Sequence, residues 1–339
     1  MYVTAVMANS TFQLIEDCNA TNRALYKFYA AIMIVIFILA LPLNASVLHL
    51  FIVKLKFWKS NTNNVFLFNL VLADILLLIC LPIKAHNFIQ GERRSGNEVV
   101  CKGMLFMLFL NRGASIAFLT VTSVDRYFNV VHPGRKNFLR ALKKSPLISI
   151  LIWLLLLPLT IPTMLKNFDC CNSHKNGDPK DDTLIKDVVD SMREAVFFTQ
   201  IVIPFVILVY CTVHIVKRLR MKTVGNTTKL RRAVFLVTSV MVVFSFCFLP
   251  CTIARMVLLI ARVEEWPEYR QDKAAVAFDG LMVLSYMDCL LDPLVYCFCS
   301  TKFKSLYLTN YFPCLVKDTA IPPDSSTGNT QNCTRTNVI

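Results

Sequence analysis

Long apolar runs dominate the pattern of hydrophobic and polar positions along this chain. Each run is long enough to cross the hydrocarbon core of a bilayer, which takes about 20 residues as an α-helix. The seven runs lie near 26–53, 65–90, 101–131, 147–166, 195–216, 233–262 and 274–299. Because a spanning segment must satisfy its backbone hydrogen bonds internally, and the alternating pattern of a membrane barrel is missing, the runs predict helices. The expected fold is an all-α integral membrane protein, a seven-transmembrane helix bundle.

The composition supports one membrane domain without an appended soluble domain. Of the 339 residues, 55% are hydrophobic and 17% are charged, whereas soluble chains carry about a quarter charged residues. The first apolar run starts too late and is too long for a cleavable signal peptide, so the first helix is expected to act as the insertion signal. The expected segments are an N-terminus (1–25), the helix bundle (26–300), a short amphipathic helix (301–313) along the inner leaflet and a disordered tail (314–339).

Positive charge is concentrated in three of the loops. The loops after the first, third and fifth runs contain Lys and Arg but no Asp or Glu, and the other loops mix both signs. This bias predicts that the first set is cytoplasmic and the N-terminus extracellular. The net charge of +14 therefore reflects membrane topology, and we expect no nucleic-acid partner.

Polar residues inside the apolar runs are costly and usually mark function. Together with prolines and aromatic residues they form a set of motifs: Asn44, Asn69 to Asp74, Cys101, Asp125-Arg126-Tyr127, Trp153, Pro204, Phe248-Leu249-Pro250 and Asp292-Pro293-Leu294-Val295-Tyr296. In this order and spacing they resemble the rhodopsin-like G-protein-coupled receptors across nearly the whole chain. The resemblance implies a multi-pass receptor of the plasma membrane. An enzyme is disfavoured, because the sequence shows no nucleophile–base pair and no metal-ligand spacing.

The resemblance also implies a switch that contacts a heterotrimeric G protein. Asp125 is expected to hold Arg126 in the inactive state, and activation would turn Arg126 toward the G protein. Pro250 should kink the sixth helix, because proline removes a backbone hydrogen bond. Phe248 and Asp292 stand where the family usually has Trp and Asn. The other switch positions implied are Tyr127, Pro293 and Tyr296. A non-signalling scavenger would be expected to lose the Asp125-Arg126-Tyr127 motif, which is intact here.

Three cationic residues in the outer halves of the predicted helices indicate the ligand class. A buried Arg costs at least about 2.5 kcal/mol at bilayer depth, so Arg112 needs a carboxylate or a polar cavity. Lys84 and Arg255 lie in the second and sixth runs. The third run has no acid at the position where amine receptors keep their aspartate. The pocket is therefore expected to receive a small anionic ligand.

The segment Asn111–Val121 resembles the hydroxycarboxylic acid receptors and their relatives, the oxo-eicosanoid and hydroxy-eicosanoid receptors. This resemblance implies that Arg112 pairs with a ligand carboxylate, assisted by Tyr286, and that the receptor couples to the inhibitory Gi/o class. Arg255 is shared by some members, and Lys84 matches a basic position of the oxo-eicosanoid member. The ligand expected is a hydroxycarboxylic acid or an oxidised fatty acid. A nucleotide receptor or a small-peptide receptor of the same fold is the alternative.

Each binding residue also has a purely structural interpretation. Arg112 could pair with acids of the seventh helix, and Lys84 and Arg255 could extend to the outer membrane interface. Tyr286 could be a core aromatic residue. These alternatives stay open on the sequence alone.

Four cysteines fall in predicted extracellular segments, where disulfides form and persist. The family bridge implies that Cys101 pairs with Cys170 or Cys171, and Cys18 could pair with the other one. Sequons at Asn9 and Asn19 are predicted glycan acceptors. Cys314, after the amphipathic helix, is either a palmitoylation site or an unmodified thiol. The hydroxyl-rich tail beyond it makes arrestin a further candidate partner.

The family resemblance implies one inorganic ligand and no other cofactor. Asp74, Ser115 and Asp292 match residues that line a small sodium site. Asp288 lies one helical turn before Asp292, on the same face. Three carboxylates in a medium of low dielectric constant cannot all stay ionised without a cation or a proton. Alternatively, Asp288 turns toward Arg112 or another polar neighbour.

Overall fold

The computed structural model describes residues 19–54, 62–132, 145–165, 183–221, 227–299 and 301–311. Within these ranges nearly every residue is helical, which confirms the all-α fold. The helices are α1 (Arg23–His49), α2 (Thr62–Gln90), α3 (Glu98–Val131), α4 (Ser145–Leu165), α5 (Thr183–Met221), α6 (Thr227–Cys247), α7 (Leu249–Val263), α8 (Glu268–Ser285), α9 (Asp288–Cys299) and α10 (Thr301–Tyr311). A π-helical turn, Leu50–Lys54, continues α1.

Six helical stretches of the described chain are long and apolar enough to cross a membrane. They are Arg23–Lys54, Asn64–Gln90, Glu98–Val131, Ser191–Arg220, Leu230–Val263 and Glu268–Pro293. A shorter apolar stretch, Pro146–Ile161, lies in α4 and corresponds to the fourth predicted run. Large aliphatic side chains lie on the outer surface, as on α1 and α4, where Ile38 is 61% exposed and Leu151 is 63% exposed. Such a surface suits lipid rather than water.

The sixth and seventh apolar runs are each interrupted once. α6 ends at Cys247 and α7 begins at Leu249, with Pro250 in the first turn of α7. Proline is tolerated there because the first-turn amides of a helix have no intrahelical acceptor. The last run is interrupted between α8 and α9, where Tyr286 follows the end of α8. The interruptions place Phe248 and Tyr286, both buried, at helix junctions inside the bundle.

Side-chain amides tie the helices together in the buried interior. The Trp153 indole donates to Oδ1 of Asn69 at 2.8 Å and joins α4 to α2. Asn111 Nδ2 donates to the Ala73 carbonyl at 2.8 Å and joins α3 to α2. Asn44 Nδ2 donates to the Cys289 carbonyl at 2.9 Å and joins α1 to α9. Such bonds satisfy polar groups that would be costly to bury alone, and they fix the rotation of α3 that decides where Arg112 points.

α10 packs against the end of α1. Phe303 is fully buried and stacks on Phe51, with ring centroids 5.3 Å apart. The hydroxyl of Tyr311 donates to the Ser46 carbonyl at 3.1 Å. The amphipathic pattern of this helix predicts that Phe303 contacts the acyl chains of the lipid. That expectation is wrong, because the Phe303 ring stacks on the rings of Phe51 and Tyr307.

The N-terminal segment lies against the loop that follows α2. The amide of Ala20 donates to the Gly91 carbonyl at 2.8 Å, and Asn19 bridges to Glu92. Asn19 itself is exposed, as a glycan acceptor must be. Cys101 is disulfide-bonded, and the predicted partners for this bridge lie outside the described residues. The predictions for Asn9, Cys18, Cys170, Cys171 and Cys314 also lie outside the described residues, and the side chain of Tyr296 is not described.

Candidate ligand-binding site

Arg112 lies near the middle of α3 and is only 7% exposed. Its guanidinium donates to Thr252 Oγ1 at 3.5 Å and approaches Cys251 Sγ at 3.6 Å and Met282 Sδ at 3.8 Å. Sulfur is a weak acceptor, and the Nε atom has no hydrogen-bond partner. Within the described part of the chain, no carboxylate pairs with Arg112. The structure therefore does not show Arg112 paired with acids of the seventh helix.

Aromatic rings form the walls around this guanidinium. Its Cζ lies 4.4 Å from the ring centroid of Phe197 on α5 and 5.8 Å from that of Phe248 at the α6–α7 junction. A cation over an aromatic face is stabilised by about 0.5–2 kcal/mol, less than burial of the charge costs at bilayer depth. The rings therefore leave part of the charge on Arg112 uncompensated.

Tyr286 supplies a second polar atom at the same level of the bundle. It is the first residue after α8 ends at Ser285, and Met282, a neighbour of Arg112, packs against the buried cluster that contains it. Tyr286 is 5% exposed, and its hydroxyl has no hydrogen-bond partner. A buried hydroxyl without a partner costs about 1–3 kcal/mol. Arg112 and Tyr286 are thus two donors near Met282, each with an unused donor atom.

Arg255, the third residue predicted to bind ligand, has a carboxylate of its own. Its Nε donates to Glu194 Oε2 at 3.0 Å, and its Nη2 donates to Oε1 of the same residue. Arg193 Nη2 donates to the same Oε1 at 2.6 Å, and the Arg255 guanidinium lies over the Phe278 ring at 5.4 Å. The simple extension of Arg255 to the membrane interface does not describe this arrangement.

Lys84 is half-buried on α2, with its ammonium 4.9 Å from the ring centroid of Phe88. In the described ranges it forms neither a hydrogen bond nor an ion pair. Lys84 is therefore a second cation without a carboxylate partner, but it lies on the α1–α2 side and no contact joins it to Arg112.

Asp279 on α8 is a polar hub that the sequence analysis missed. Its Oδ2 accepts from the Tyr26 hydroxyl at 2.7 Å and from Nε of Arg93 at 2.8 Å. In the loop beside it, burial lowers the pKa of Arg94 to about 10, and the charge of Asp279 opposes this change. Arg94 stays protonated at neutral pH. The hub joins α1, α8 and the loop after α2 at the end of the bundle that is predicted to be extracellular.

The predicted sodium residues lie deeper in the bundle, and all are buried. Asn111 contacts both the Ala73 carbonyl and, at 3.5 Å, Ser115 Oγ, which brings α3 beside Asp74 on α2. Neither carboxylate oxygen of Asp292 has a hydrogen-bond partner. Among the described residues, however, no group of three His, Cys, Asp or Glu side chains is placed to hold a metal ion. The sodium site stays a prediction, and the unsatisfied Asp292 carboxylate supports it.

Asp288 does not turn to Arg112 in this geometry. One of its oxygens accepts from the Cys289 amide at 2.8 Å, as a residue at the start of α9 can do.

Near the C-terminal end of α3, Asp125 and Tyr127 are buried. The Tyr127 hydroxyl lies 3.2 Å from His132 Nε2 and 3.4 Å from the Tyr210 hydroxyl. These contacts tie the motif that ends α3 to α5.

Comparison with known proteins identifies the family. The model of the 7 transmembrane receptor (rhodopsin family) matches residues 43–296. This chain belongs to the rhodopsin family of seven-transmembrane receptors. It is 33% identical over 294 residues to hydroxycarboxylic acid receptor 2 of Homo sapiens, covering 86% of this chain and 79% of that protein. It is 31% identical over 300 residues to the 12-(S)-hydroxy-5,8,10,14-eicosatetraenoic acid receptor of Mus musculus, covering 86% and 91%.

A third relative belongs to the same group. Oxoeicosanoid receptor 1 of Homo sapiens is 29% identical over 291 residues, covering 84% of this chain and 73% of that protein. The resemblance to this receptor group is thereby confirmed. The rhodopsin-family receptor is a multi-pass plasma-membrane protein, not an enzyme, and its partners are a G protein and a small ligand.

Proposed function

We propose that this rhodopsin-family receptor binds a small ligand through one carboxylate and activates an inhibitory G protein of the Gi/o class. The observation that carries the proposal is Arg112, a buried guanidinium with an unsatisfied Nε and no carboxylate partner among the described residues. A buried charge in this state is costly, and an anion that enters the pocket removes that cost.

The donors around Arg112 suit a carboxylate. A planar guanidinium binds a carboxylate through two parallel hydrogen bonds, which a lysine ammonium cannot reproduce. The Tyr286 hydroxyl, just past the end of the helix that carries Met282, offers a further donor. Phe197 and Phe248, with the sulfur atoms of Cys251 and Met282, give the site apolar walls that suit a hydrocarbon chain.

The ligand class follows from these walls together with the relatives. The relatives are named as receptors for hydroxycarboxylic acids, a hydroxylated eicosanoid and oxo-eicosanoids. We assign the same class to this chain: a hydroxycarboxylic acid or an oxidised fatty acid. A nucleotide brings several phosphate charges, and Arg255, which could compensate one of them, already pairs with Glu194. The Arg112 site therefore favours a single carboxylate over a nucleotide.

The side of the membrane on which the G protein binds follows from the charge of the loops and from the Asp125-Arg126-Tyr127 motif near the end of α3. The Lys/Arg-rich loops favour an extracellular N-terminus, which corresponds to a cytoplasmic position for the end of α3 that carries Arg126. The interruption at Phe248 lets the two halves of the sixth helix change their angle, which moves α6 relative to Arg126. Arrestin is a further partner of the active receptor.

The experiment is a panel of ligands applied to cells that express the receptor. The readout is activation of Gi/o proteins, measured against concentration for hydroxy acids, oxidised fatty acids, nucleotides and short peptides. Carboxylates alone should activate Gi/o proteins, and pertussis toxin should remove the response. A response to nucleotides or peptides without one to carboxylates would refute the proposal.

A further inference from the structure

The ion pair between Glu194 and Arg255 closes one side of the Arg112 site. Glu194 occupies both hydrogen-bonding positions, Nε and Nη2, on one edge of the Arg255 guanidinium. The side chains of Arg255 and Glu194 are only 12% and 18% exposed. A pair of this kind is screened little by salt, so a carboxylate from solution competes poorly for Arg255.

Helical spacing locates this pair relative to Arg112. Phe197, whose ring faces the Arg112 guanidinium, follows Glu194 by three residues on α5. Cys251, which also contacts Arg112, precedes Arg255 by four residues on α7. Residues three and four apart share a helical face. The pair therefore lies one turn, about 5 Å along the axes, from the level of Arg112.

Both helices shift the pair in the same direction. α5 and α7 run antiparallel, so a step back from Phe197 and a step forward from Cys251 both lead toward the predicted extracellular end. A ligand whose carboxylate reaches Arg112 must then place its next atoms beside the Glu194–Arg255 pair. A second carboxylate at that position would meet the Glu194 carboxylate instead of a free guanidinium.

We propose that Glu194 is a specificity-determining residue that restricts the ligand to one carboxylate, by holding Arg255 in an internal ion pair. Arg255 thus acts in ligand selection without contacting the ligand carboxylate. The inference rests on the proposed function, because it takes the Arg112 site as the place where the ligand binds. It accounts for the difference between Arg112, whose guanidinium has no carboxylate partner among the described residues, and Arg255, whose guanidinium has one.

The test compares monocarboxylates with α,ω-dicarboxylates of the same chain length. The probes are saturated acids of four to ten carbons, and the readout is the shift in thermal denaturation of the purified receptor, converted to an apparent affinity. The wild type should favour the monocarboxylate at each length. Glu194→Gln keeps the size of the side chain but frees Arg255, and it should raise the affinity for a dicarboxylate relative to the monocarboxylate by about tenfold or more.

Second-site variants identify the cation that is released. Glu194→Gln combined with Arg255→Gln should return to the preference of the wild type, whereas Glu194→Gln combined with Arg193→Gln should keep the gain. Glu194→Asp retains the charge and should stay close to the wild type. Glu98→Gln is the matched control, because Glu98 pairs with Lys102 on the surface of α3 at 2.8 Å, and it should leave the preference unchanged.

The outcomes separate the inference from the proposed function. A wild type that binds monocarboxylates, with the same preference in Glu194→Gln, would overturn the inference alone. Binding of neither probe to the wild type or to Glu194→Gln would overturn both. If Glu194→Gln does not fold, the double variant with Arg255→Gln decides, since it leaves neither charge of the pair buried. A tenfold loss of monocarboxylate affinity there would show that Arg255 binds the ligand carboxylate and would overturn the inference.

Discussion

The hydroxyl of Tyr26 on α1 donates a 2.7 Å hydrogen bond to Oδ2 of Asp279 on α8. The same oxygen accepts from Nε of Arg93, so the Asp279 carboxylate joins α1, α8 and the loop after α2. The ring of Tyr26 also packs edge-on against Phe88 at 4.9 Å. This contact closes the bundle next to the half-buried Lys84.

We expect Asp279→Asn to destabilise the receptor. The substitution removes the charge that both donors share, and hydrogen bonds to charged groups contribute about 1.5–3 kcal/mol. The thermal denaturation temperature of the purified receptor should fall. Asp272→Asn is the matched control, because Asp272 lies on the same helix and accepts from the exposed Thr21 hydroxyl. Equal denaturation temperatures for the two variants would contradict the role of Asp279 as a hub.

The helices and the anchor of the site could be predicted from the sequence, because each leaves a local signal. An apolar run predicts its own helix, and Pro250 indicates the interruption of the sixth helix. Arg112 stands out as a charge within an apolar run, and Tyr286 came from the family resemblance.

The partners of these residues could not be predicted in the same way. The predicted fifth run begins at residue 195, directly after Glu194, whereas α5 begins at Thr183. Arg193 and Glu194 lie just before that run and are not among the predicted binding residues, although two opposite charges beside a long apolar run are a usable signal. Asp279 accepts hydrogen bonds from Arg93 and Tyr26, which are 186 and 253 positions away in the sequence. Such contacts depend on how each helix is rotated in the bundle.

Phe303 shows the same limit at the other end of the molecule. Its position on an amphipathic helix predicts contact with lipid, but the structure buries it against Phe51. A hydrophobic face does not specify whether lipid or another helix covers it.

The second prediction concerns the buried acids near Ser115. Sodium should favour the inactive receptor and lower agonist affinity, because a cation compensates the Asp292 carboxylate, whose oxygens have no hydrogen-bond partner. Asp292→Asn should abolish the sodium effect, and Asp288→Asn should weaken it. Agonist affinity is measured across sodium concentrations, with potassium holding the ionic strength constant. A wild-type affinity that is indifferent to sodium would exclude the site.

The third prediction concerns the N-terminal segment. Asn19 and Ala20 lie against Glu92 and Gly91, in the loop between α2 and α3, and Cys101 lies in the first turn of α3. We expect Cys101 to pair with Cys170 or Cys171, and Cys18 to pair with the other. Non-reducing peptide mapping checks both bridges, and Cys18→Ser should leave one thiol of the second extracellular loop reactive. Recovery of Cys18 as a free thiol in the wild type would refute the second bridge.

The central claim is that Arg112 binds the ligand carboxylate, and the affinity of Arg112 variants for a carboxylate agonist tests it most directly. Arg112→Ala should weaken binding by about 2–5 kcal/mol, the range for removing one partner of a buried charge pair. Arg112→Lys should recover only part, because an ammonium cannot form the paired hydrogen bonds of a guanidinium. Surface expression is matched between variants. Unchanged agonist affinity in an Arg112→Ala receptor that reaches the cell surface would contradict the claim.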